Sequence, residues 1–346
     1  MKIRNFNFEN VDLNNKSILI TGGTGSFGKA IVKKLLKDYS PERIIVFSRD
    51  EQKQFKMSHE FETSKFSNLR YLIGDVRDLD RLEMATYGVD IIIHAAAMKH
   101  VEASEYNAFE CIRTNVNGAE NVVKSALKNN VQKIIGLSTD KACNPINLYG
   151  ASKLASDKIF IAANNLVGKR NIHFSVVRYG NVIGSNGSVV PLFYKMLEQE
   201  KEFLPITDIR MTRFVITLNQ GTDFVISALF LMNGGEIFIP KIPSIKISNL
   251  AKAIAPNLPV KVIGKRSGEK LHEMMINNED SELTFDLGDY FIIEPNIKFW
   301  DANYNFNLKG KKVDCQFSYS SLNNNEWLEL EDLKKLLKNE FKKWNK

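Results

Sequence analysis

Short runs of apolar residues recur through the first half of the chain, and stretches with helical spacing separate most of them. The runs are rich in β-branched residues and almost continuously apolar, which is typical of strands buried on both faces of a sheet. We predict strands at residues 16–21, 43–48, 69–74, 90–97, 133–139 and 173–180. Because strands and helices alternate, the pattern predicts an α/β fold with a Rossmann-like doubly wound parallel sheet.

The alternation loosens after about residue 180. Residues 234–247 and 258–273 mix short apolar runs with prolines and charges. This pattern predicts a smaller C-terminal lobe that closes over the carboxyl edge of the sheet, where ligands bind in such folds. We therefore predict one domain at residues 1–180, to which the chain can return later, and at residues 181–346 mainly a substrate-binding lobe with a C-terminal tail.

Composition and charge narrow the possible partners. The chain has 346 residues, of which 44% are hydrophobic, so it can bury a sizeable core. A net charge of +7 would suit nucleic acid, but the lysines are spread out apart from a cluster near the C-terminus. That cluster fits the solvated face of an amphipathic last helix, so we predict no nucleic-acid partner and an attraction for a phosphorylated small molecule. The cluster consists of Lys334, Lys335, Lys338, Lys342, Lys343 and Lys346.

Cysteines and apolar runs indicate the compartment. Cys111, Cys143 and Cys315 are odd in number and far apart, which favours a reducing compartment and no zinc site. The first 15 residues lack the apolar core of a signal peptide, and the longest apolar run, at 224–232, is shorter than the ~20 residues that a membrane span needs. We predict a soluble cytoplasmic protein that binds no metal. The histidines predicted to be core or loop residues are His94, His100 and His272.

A glycine-rich turn lies between the first strand and the first helix. Its glycines recur at every third position, unlike the usual G-x-G-x-x-G spacing. Glycine there permits a tight turn and a close approach of the backbone to a pyrophosphate, which the N-terminus of the following helix attracts. The sequence therefore predicts a dinucleotide site. Its predicted contacts in the turn are Gly22, Thr24, Gly25, Ser26, Phe27 and Gly28.

The residues after the second strand indicate which dinucleotide binds. Sites for NAD usually place an acidic residue there, whereas this chain has Ser48, Arg49 and Lys53. A guanidinium and a nearby ammonium suit a 2′-phosphate, so NADP is predicted. Asp50, beside Arg49, keeps NAD open as an alternative.

Two further loops complete the predicted cofactor site. Asp75 and Val76 follow the third strand, where an adenine would be hydrogen-bonded and packed. Ala96 follows the fourth strand, and its small side chain would let the cofactor lie against the backbone.

Tyr149 and Lys153 lie four positions apart, so on a helix they share one face. An ammonium beside a phenol lowers the pKa of the phenol, which would make Tyr149 a proton acceptor from a sugar hydroxyl as a hydride leaves. The same spacing is common in helices, but after a dinucleotide turn it predicts catalysis. We assign to both residues a catalytic role, and the family resemblance described next implies that both also contact the cofactor.

The turn TGGTGSFG and the segment YGASK identify the chain as similar to the extended short-chain dehydrogenase/reductase family. Within that family it more closely resembles the inverting UDP-N-acetylglucosamine 4,6-dehydratases of pseudaminic acid synthesis. The resemblance implies an NADP-dependent lyase in which Tyr149 and Lys153 serve hydride transfer. It runs over nearly the whole chain and is carried by FSRDEQKQ, HAAAMKHVEASEYN, LSTDKACNPINLYGASK, VVRYGNVIGSNGSVVP, PITDIRMTRF, GEKLHE and NNNEWLELEDLKKLL.

The resemblance gives Asp140 and Lys141 separate roles. Retaining relatives carry Asp-Glu at these positions, whereas here the resemblance implies that Lys141 removes the carbon 5 proton and Asp140 protonates the departing carbon 6 hydroxyl. The implied product is UDP-2-acetamido-2,6-dideoxy-beta-L-arabino-hexos-4-ulose, inverted at carbon 5. We expect burial and a nearby positive charge to leave Lys141 partly deprotonated. The alternative is that the pair forms only a salt bridge at a strand end.

The resemblance also implies where UDP-N-acetylglucosamine would lie and that the protein is a homo-oligomer. Lys99 matches a residue of the sugar pocket, although an isolated cation is also consistent with a surface charge. The remaining substrate-binding positions implied by the resemblance are Asn181, Val190, Thr207, Arg213, Arg266 and Glu269.

Two other functions stay open. A related dehydratase or epimerase would make another deoxysugar precursor, but that branch of dehydratases commonly carries methionine at the position of Tyr149. A non-catalytic NADP-sensing regulator on the same fold would be expected to lack the Tyr149–Lys153 pair. Both residues are present, which favours catalysis.

Overall fold

The structure is a computed structural model that describes residues 4–6, 11–62, 64–297 and 310–341. All six predicted strands are present, with ends shifted by a few residues at most, and their side chains are largely buried because both faces of the sheet are covered by helices. These strands are β1 (Ser17–Thr21), β2 (Arg43–Ser48), β3 (Leu69–Ile73), β4 (Ile91–His94), β5 (Lys133–Thr139) and β6 (His173–Tyr179).

The main sheet has the order expected of a doubly wound fold. Strands β3, β2, β1, β4, β5 and β6 are parallel neighbours in that order, with register pairs such as Ser17 with Arg43 and Ile18 with Ile91. The chain reverses its direction of winding between β1 and β4, so a crevice forms beyond the carboxyl ends of these strands. The predicted Rossmann-like parallel sheet is confirmed.

The later part of the chain extends this sheet. Strand β10 (Ile237–Pro240) pairs in parallel with β6, and three antiparallel strands follow at that edge. They are β15 (Tyr290–Ile293), β14 (Thr284–Asp286) and β16 (Lys311–Lys312), in spatial order. Residues beyond 180 therefore contribute to the main sheet as well as to the smaller lobe.

Helices cover the sheet, and several of them begin at a side-chain cap. Asp50, Asp78 and Asn147 each accept a hydrogen bond from a backbone N–H of the helix that follows, and Thr217 forms a capping box with Gln220. The helices are α1 (Ser26–Asp38), α2 (Glu51–Glu60), α3 (Leu79–Ala85), α4 (Val101–Tyr106), α5 (Ala108–Ile112), α6 (Gly118–Lys128), α7 (Leu148–Ala163), α8 (Val189–Glu198), α9 (Leu218–Leu231), α10 (Ile247–Ile254) and α11 (Leu330–Phe341).

A smaller lobe has its own apolar core. Phe193, Leu204, Leu250 and Leu333 are fully or almost fully buried in it. Helix α11 packs on α10 through its apolar face, while Lys335 and Lys338 on its other face are exposed, and Lys342, Lys343 and Lys346 lie outside the described residues. The strands of this region are β7 (Asn181–Val182), β8 (Leu204–Ile206), β9 (Thr212–Ile216), β11 (Ser244–Lys246), β12 (Val260–Val262), β13 (Met274–Ile276) and β17 (Tyr319–Ser320).

None of the helices in the described part of the chain combines the length and apolarity that crossing a bilayer requires. Cys111 and Cys143 are buried free thiols, and Cys315 is an exposed one. Over the same described residues, no group of three or more His, Cys, Asp or Glu side chains is arranged to hold a metal ion.

Candidate active site

A cleft of about 830 Å³ opens beyond the carboxyl ends of the parallel strands. It brings together all the residues that the sequence assigns to the cofactor and to catalysis, and two of those assigned to the substrate. The predicted residues that line it are Gly22, Thr24, Gly25, Ser26, Phe27, Gly28, Ser48, Arg49, Lys53, Asp75, Val76, Ala96, Lys99, Asp140, Lys141, Tyr149, Lys153 and Asn181.

The glycine turn forms one end of the cleft. Gly22 has a φ of +65°, and a Cβ there would lie 2.8 Å from the backbone nitrogen of Ala96. A Cβ on Gly28 would overlap the backbone of Gly23, so α1 can start this close to β1 only because residue 28 is glycine. No side chain caps α1 at Gly25, which leaves its first N–H groups facing the cleft. This turn fits a pyrophosphate.

The rim beyond β2 carries exposed cations. The side chains of Arg49 and Lys53 are 61% and 64% exposed. Asp50 caps α2 by accepting from the backbone N–H of Lys53 at 2.9 Å, and its carboxylate also lies 3.0 Å from the Lys53 ammonium. Asp50, the acidic residue that would be expected to bind the ribose in an NAD site, therefore already binds the first turn of α2 and Lys53.

Asp75 and Val76 form the wall next to this rim. The Asp75 carboxylate binds the Arg77 guanidinium at 2.7 Å and lies 3.8 Å from Arg49. Burial opposes the charge of Asp75, but Arg77 outweighs that effect and lowers its pKa. Val76 is buried and packs against Gly118.

His94 ends β4 below the cleft and is a buried core residue. Its Nδ1 forms a 2.8 Å hydrogen bond with the Thr21 hydroxyl, which in turn accepts from the N–H of Ala96 at 3.2 Å. Burial, with the charge of Lys153 nearby, lowers the pKa of His94 to about 3. His94 is therefore neutral and holds the strand end in place.

Tyr149 and Lys153 lie on successive turns of α7, as their spacing predicts. Asn147 caps this helix, and a Cβ on Gly150 would overlap the carbonyl of Lys141. The glycine thus lets the first turn of α7 pack against the short 3-10 turn Asp140–Ala142. As a result, the phenol of Tyr149 lies beside the Asp140–Lys141 pair.

The pKa of Tyr149 moves in the direction opposite to our expectation. Burial raises it to about 12, although Lys141 and a hydrogen bond with Thr139 oppose the rise. The ammonium that lowers the phenol pKa is thus that of Lys141 and not that of Lys153. The expectation was wrong because desolvation of a buried phenolate outweighs one neighbouring cation.

Lys153 is 3% exposed and backed by a buried ion pair. Asp157, one turn further along α7, accepts from Ser138 at 2.7 Å and from Arg178 at 3.3 Å. Burial lowers the pKa of Lys153 while the charge of Asp157 opposes this. This network was not predicted, although Ser138 belongs to the segment that carries the resemblance.

Asp140 and Lys141 face each other at the reacting end. The Lys141 ammonium donates to Asp140 Oδ1 at 2.9 Å, and the Thr139 hydroxyl donates to the same oxygen at 3.0 Å. The Asp140 side chain is 1% exposed, and its Oδ2 has no hydrogen-bond partner among the described residues. Burial, reinforced by the charge of Glu273, raises the pKa of Asp140.

Glu273 is a second carboxylate on Lys141, at 3.2 Å from Nζ, and was not predicted. Desolvation alone would lower the pKa of Lys141, but the charges of Asp140 and Glu273 raise it above its ordinary value. The expectation of a partly deprotonated lysine was therefore wrong for the unliganded protein. Glu273 lies far from Lys141 in the chain, and only its place in GEKLHE could have pointed to it.

Lys99 and Asn181 also line the cleft. The Lys99 ammonium donates to the carbonyl of Asn186 at 2.7 Å, and burial lowers its pKa. The Oδ1 of Asn181 is buried without a hydrogen-bond partner in the described structure. An unsatisfied acceptor at this point suits a ligand that donates a hydrogen bond.

The other five substrate positions lie in the smaller lobe and do not line the cleft. Arg213 is buried and donates to the carbonyls of Thr212, Leu271 and Lys270 at 2.7 to 3.0 Å. The substrate roles of all five stay predictions. Val190 is buried in the second core, Thr207 donates to Met211, Arg266 lies 3.5 Å from Glu102, and Glu269 accepts from the backbone of Arg266.

Comparison with known proteins places these features in a family. A family model described as polysaccharide biosynthesis protein matches residues 18–295. Two proteins named UDP-N-acetylglucosamine 4,6-dehydratase (inverting), from Campylobacter jejuni strains 81-176 and NCTC 11168, are 58% and 56% identical to this chain. The alignments cover 92% and 94% of this chain and 96% and 98% of those proteins.

A solved structure extends the similarity to the fold. The X-ray structure of Pen from Bacillus thuringiensis is 37% identical in sequence and superposes with a TM-score of 0.86, covering 95% of this chain and 99% of that one. The resemblance inferred from the sequence motifs is confirmed. The chain belongs to the polysaccharide biosynthesis protein family, within the extended short-chain dehydrogenases/reductases.

Proposed function

We propose that this protein is an NADP-dependent, inverting UDP-N-acetylglucosamine 4,6-dehydratase, a hydro-lyase. The observation that carries the proposal is the contact of Lys141 with Asp140 at 2.9 Å, beside the Tyr149–Lys153 pair in one cleft. The sequence identity of 58% and 56% to the two Campylobacter jejuni dehydratases, over almost the whole chain, supports it. The proposed product is UDP-2-acetamido-2,6-dideoxy-beta-L-arabino-hexos-4-ulose.

The residues of the cleft fit a dinucleotide. The glycine turn leaves no room for a Cβ at Gly22 or Gly28, and the N-terminus of α1 would hold the pyrophosphate. Arg49 and Lys53 would hold a 2′-phosphate, and because Asp50 caps α2 we favour NADP over NAD. When bound, NADP accepts a hydride from carbon 4 of the sugar and returns it to carbon 6.

Tyr149 and Lys153 serve the oxidation at carbon 4. Tyr149 removes the proton of the carbon 4 hydroxyl as the hydride leaves. Only the phenolate form of Tyr149 can accept this proton, and a pKa of about 12 in the unliganded protein makes that form a minor one, which the Lys141 cation stabilises. On the resemblance, Lys153 would also hold the nicotinamide ribose.

Asp140 and Lys141 serve the elimination of water. The ketone at carbon 4 acidifies the proton on carbon 5, which Lys141 removes as an amine. Asp140, whose pKa is raised by burial, supplies the proton that leaves with the carbon 6 hydroxyl. Protonation of carbon 5 from the opposite face after hydride return, by Tyr149, inverts that carbon. No net oxidant is consumed, so the reaction is that of a lyase.

The same pair argues against the other two functions. A 4-epimerase uses a tyrosine and lysine for hydride transfer and would have no use for a second acid and base beside them. A regulator that only senses NADP would not need the buried charge of Asp140 beside the half-buried charge of Lys141, because a buried charge is costly to desolvate. On the resemblance alone, we further propose a cytoplasmic homo-oligomer that acts in pseudaminic acid synthesis.

Proton NMR of the reaction in deuterated water tests the function. The protein with NADP and UDP-N-acetylglucosamine should yield a 4-keto-6-deoxy sugar with carbon 5 inverted. Recovery of the substrate, or a product epimerised only at carbon 4, would refute the proposal. Replacement of NADP by NAD in the same assay should give slower turnover, and equal turnover would refute the cofactor preference.

A further inference from the structure

Glu273 contacts the amine of Lys141 as a second carboxylate besides Asp140. Its Oε1 lies 3.2 Å from Lys141 Nζ and 3.8 Å from Arg213 Nε. The side chain is 2% exposed, and its Oε2 has no hydrogen-bond partner in the described part of the chain. A buried carboxylate with a free oxygen, directed at the amine of the elimination step, is not explained by the roles assigned so far.

The C-terminal part of the chain fixes the position of this carboxylate. Glu273 directly precedes β13, which pairs with β17. Its backbone N–H donates to the Ser321 hydroxyl at 2.9 Å, and its carbonyl accepts from the backbone N–H of Ser321 at 2.8 Å. The Ser321 hydroxyl also forms a 2.7 Å hydrogen bond with Thr212, so the backbone at residue 273 is held from two directions.

We propose that Glu273 is a positioning residue for the elimination: it holds the Lys141 amine against Asp140, so that the one proton of the Asp140–Lys141 pair can pass from Nζ to Oδ1. The proposal rests on the proposed function. This proton transfer needs no metal ion and no proton from solvent. The 2.9 Å hydrogen bond between Nζ and Oδ1 is the path of transfer.

The proton count balances over the step. In the ion pair, Lys141 carries the proton and Asp140 is a carboxylate; after the transfer, Lys141 is an amine and Asp140 a carboxylic acid. The amine then takes the carbon 5 proton as the carbon 5–carbon 6 double bond forms. The acid gives its proton to the carbon 6 hydroxyl, which leaves as water. Lys141 and Asp140 end as the same ion pair from which they began.

The charges around the Asp140–Lys141 pair explain why Glu273 is needed. With Arg213, Glu269 and Lys270 counted, three carboxylates face three cations, so the cluster is neutral as a whole. Loss of the Glu273 charge would leave an excess positive charge, which lowers the pKa of both Asp140 and Lys141. The other titratable groups that interact with the Asp140–Lys141 pair are Tyr149 and Cys143.

The pH dependence of the dehydration rate tests the proposal. In Glu273→Gln, which keeps the shape and removes the charge, we expect kcat to fall and the pH optimum to move to lower pH by about one unit or more. Glu273→Asp should move it less. The matched control is Asp280→Asn, which removes a carboxylate lying 3.8 Å from the buried Arg178 and outside the cleft lining. It should leave the optimum unchanged.

A second readout does not depend on turnover. In the full-length protein with carbon-13-labelled lysine, the Lys141 side-chain signal, assigned by its loss in Lys141→Arg, should titrate at lower pH in Glu273→Gln than in the wild type. A purely structural role would reduce folded protein and kcat but move neither the pH optimum nor this titration, and that result would overturn the proposal. If the wild type fails to dehydrate UDP-N-acetylglucosamine, the proposed function itself is refuted. If the wild type is active but Glu273→Gln shifts neither the pH optimum nor the Lys141 titration, only the role of Glu273 is refuted.

Discussion

The two ends of the cleft are built from different materials. At the cofactor end, backbone N–H groups and glycines form the surface, and the charged side chains of Arg49 and Lys53 are mostly exposed. At the reacting end, Asp140, Glu273 and Lys153 are almost completely buried, and Asp140 and Glu273 share Lys141 as a partner. The cofactor end therefore depends on the shape of the backbone and carries solvent-exposed charges, whereas the reacting end is a cluster of charges removed from water.

This difference predicts how the two ends respond to substitution. An exposed cation interacts through water and salt, so its removal costs little. A buried charge that loses its partner has no solvent to replace it, so the cost is several times larger. Substitutions at the reacting end should thus decide whether the protein works, whereas those at the rim should only change which cofactor it prefers.

The largest effect is expected at Lys141. Lys141→Met removes the base, so the dehydration rate should fall by about a thousandfold or more. Oxidation at carbon 4 should persist at a lower rate, because Tyr149 and Lys153 are intact but the cation that lowers the pKa of Tyr149 is lost. It is measured as absorbance of the reduced nicotinamide.

Lys141→Arg is the matched variant because it keeps the cation and removes the base. It should lose as much activity as Lys141→Met. Retention of a tenth or more of the wild-type rate by Lys141→Arg would show that residue 141 acts as a cation rather than as a base.

The next largest effect is on the stability of the fold, at the buried ion pair of Asp157 and Arg178 next to Lys153. Asp157→Asn removes the nearer and buried carboxylate of Arg178, at 3.3 Å, and leaves only Asp280 at 3.8 Å, so the free energy of unfolding should fall by about 3 kcal/mol in a denaturant titration. Asp38→Asn removes a carboxylate from a pair on the surface of α1 and should change the free energy of unfolding by less than about 0.5 kcal/mol. Equal losses in the two variants would contradict the contrast between buried and exposed charges.

At the cofactor end, shape rather than charge is expected to dominate. Gly28→Ala places a Cβ against the backbone of Gly23 and should weaken cofactor affinity about a hundredfold, or about 2.7 kcal/mol. Gly221→Ala is the control, since a Cβ at this position of α9 meets no atom within 4 Å. Isothermal titration should find wild-type affinity in the control, and wild-type affinity in Gly28→Ala would exclude the close approach.

The smallest effect is expected at the rim. Arg49→Ala should lower the ratio of NADP to NAD affinity about tenfold and leave kcat nearly unchanged, because the guanidinium is exposed. The preference should also become less sensitive to salt. Arg113→Ala removes an arginine of similar exposure outside the cleft lining and should change neither affinity. An unchanged preference in Arg49→Ala would refute its assignment to the 2′-phosphate.

Local sequence signals predicted the fold and the cofactor end well. The apolar runs gave β2 and β5 with their observed bounds, since strands buried on both faces leave a continuous apolar pattern. The glycine turn and the Tyr149–Lys153 spacing are also local, and the structure brings both to one cleft. The return of β10 to the main sheet was left open, because nothing in its sequence states which strand it pairs with.

The reacting end was predicted incompletely because its chemistry depends on contacts between distant parts of the chain. Glu273 reaches Lys141 only through the pairing of β13 with β17, which no periodicity reveals. Both pKa expectations failed for the same reason. The spacing of Tyr149 and Lys153 does not reveal how strongly the fold desolvates the phenol of Tyr149. The sequence shows only Asp140 beside Lys141, whereas in the structure Glu273 acts on it as well.

The most direct measurement is the fate of the carbon 5 proton in deuterated water. The wild type, given UDP-N-acetylglucosamine and NADP, should produce a 4-keto-6-deoxy sugar that carries deuterium at carbon 5 in the inverted configuration. Lys141→Met should oxidise carbon 4 while the original proton stays on carbon 5. Exchange of that proton in Lys141→Met at the wild-type rate would contradict the assignment of Lys141 as the base.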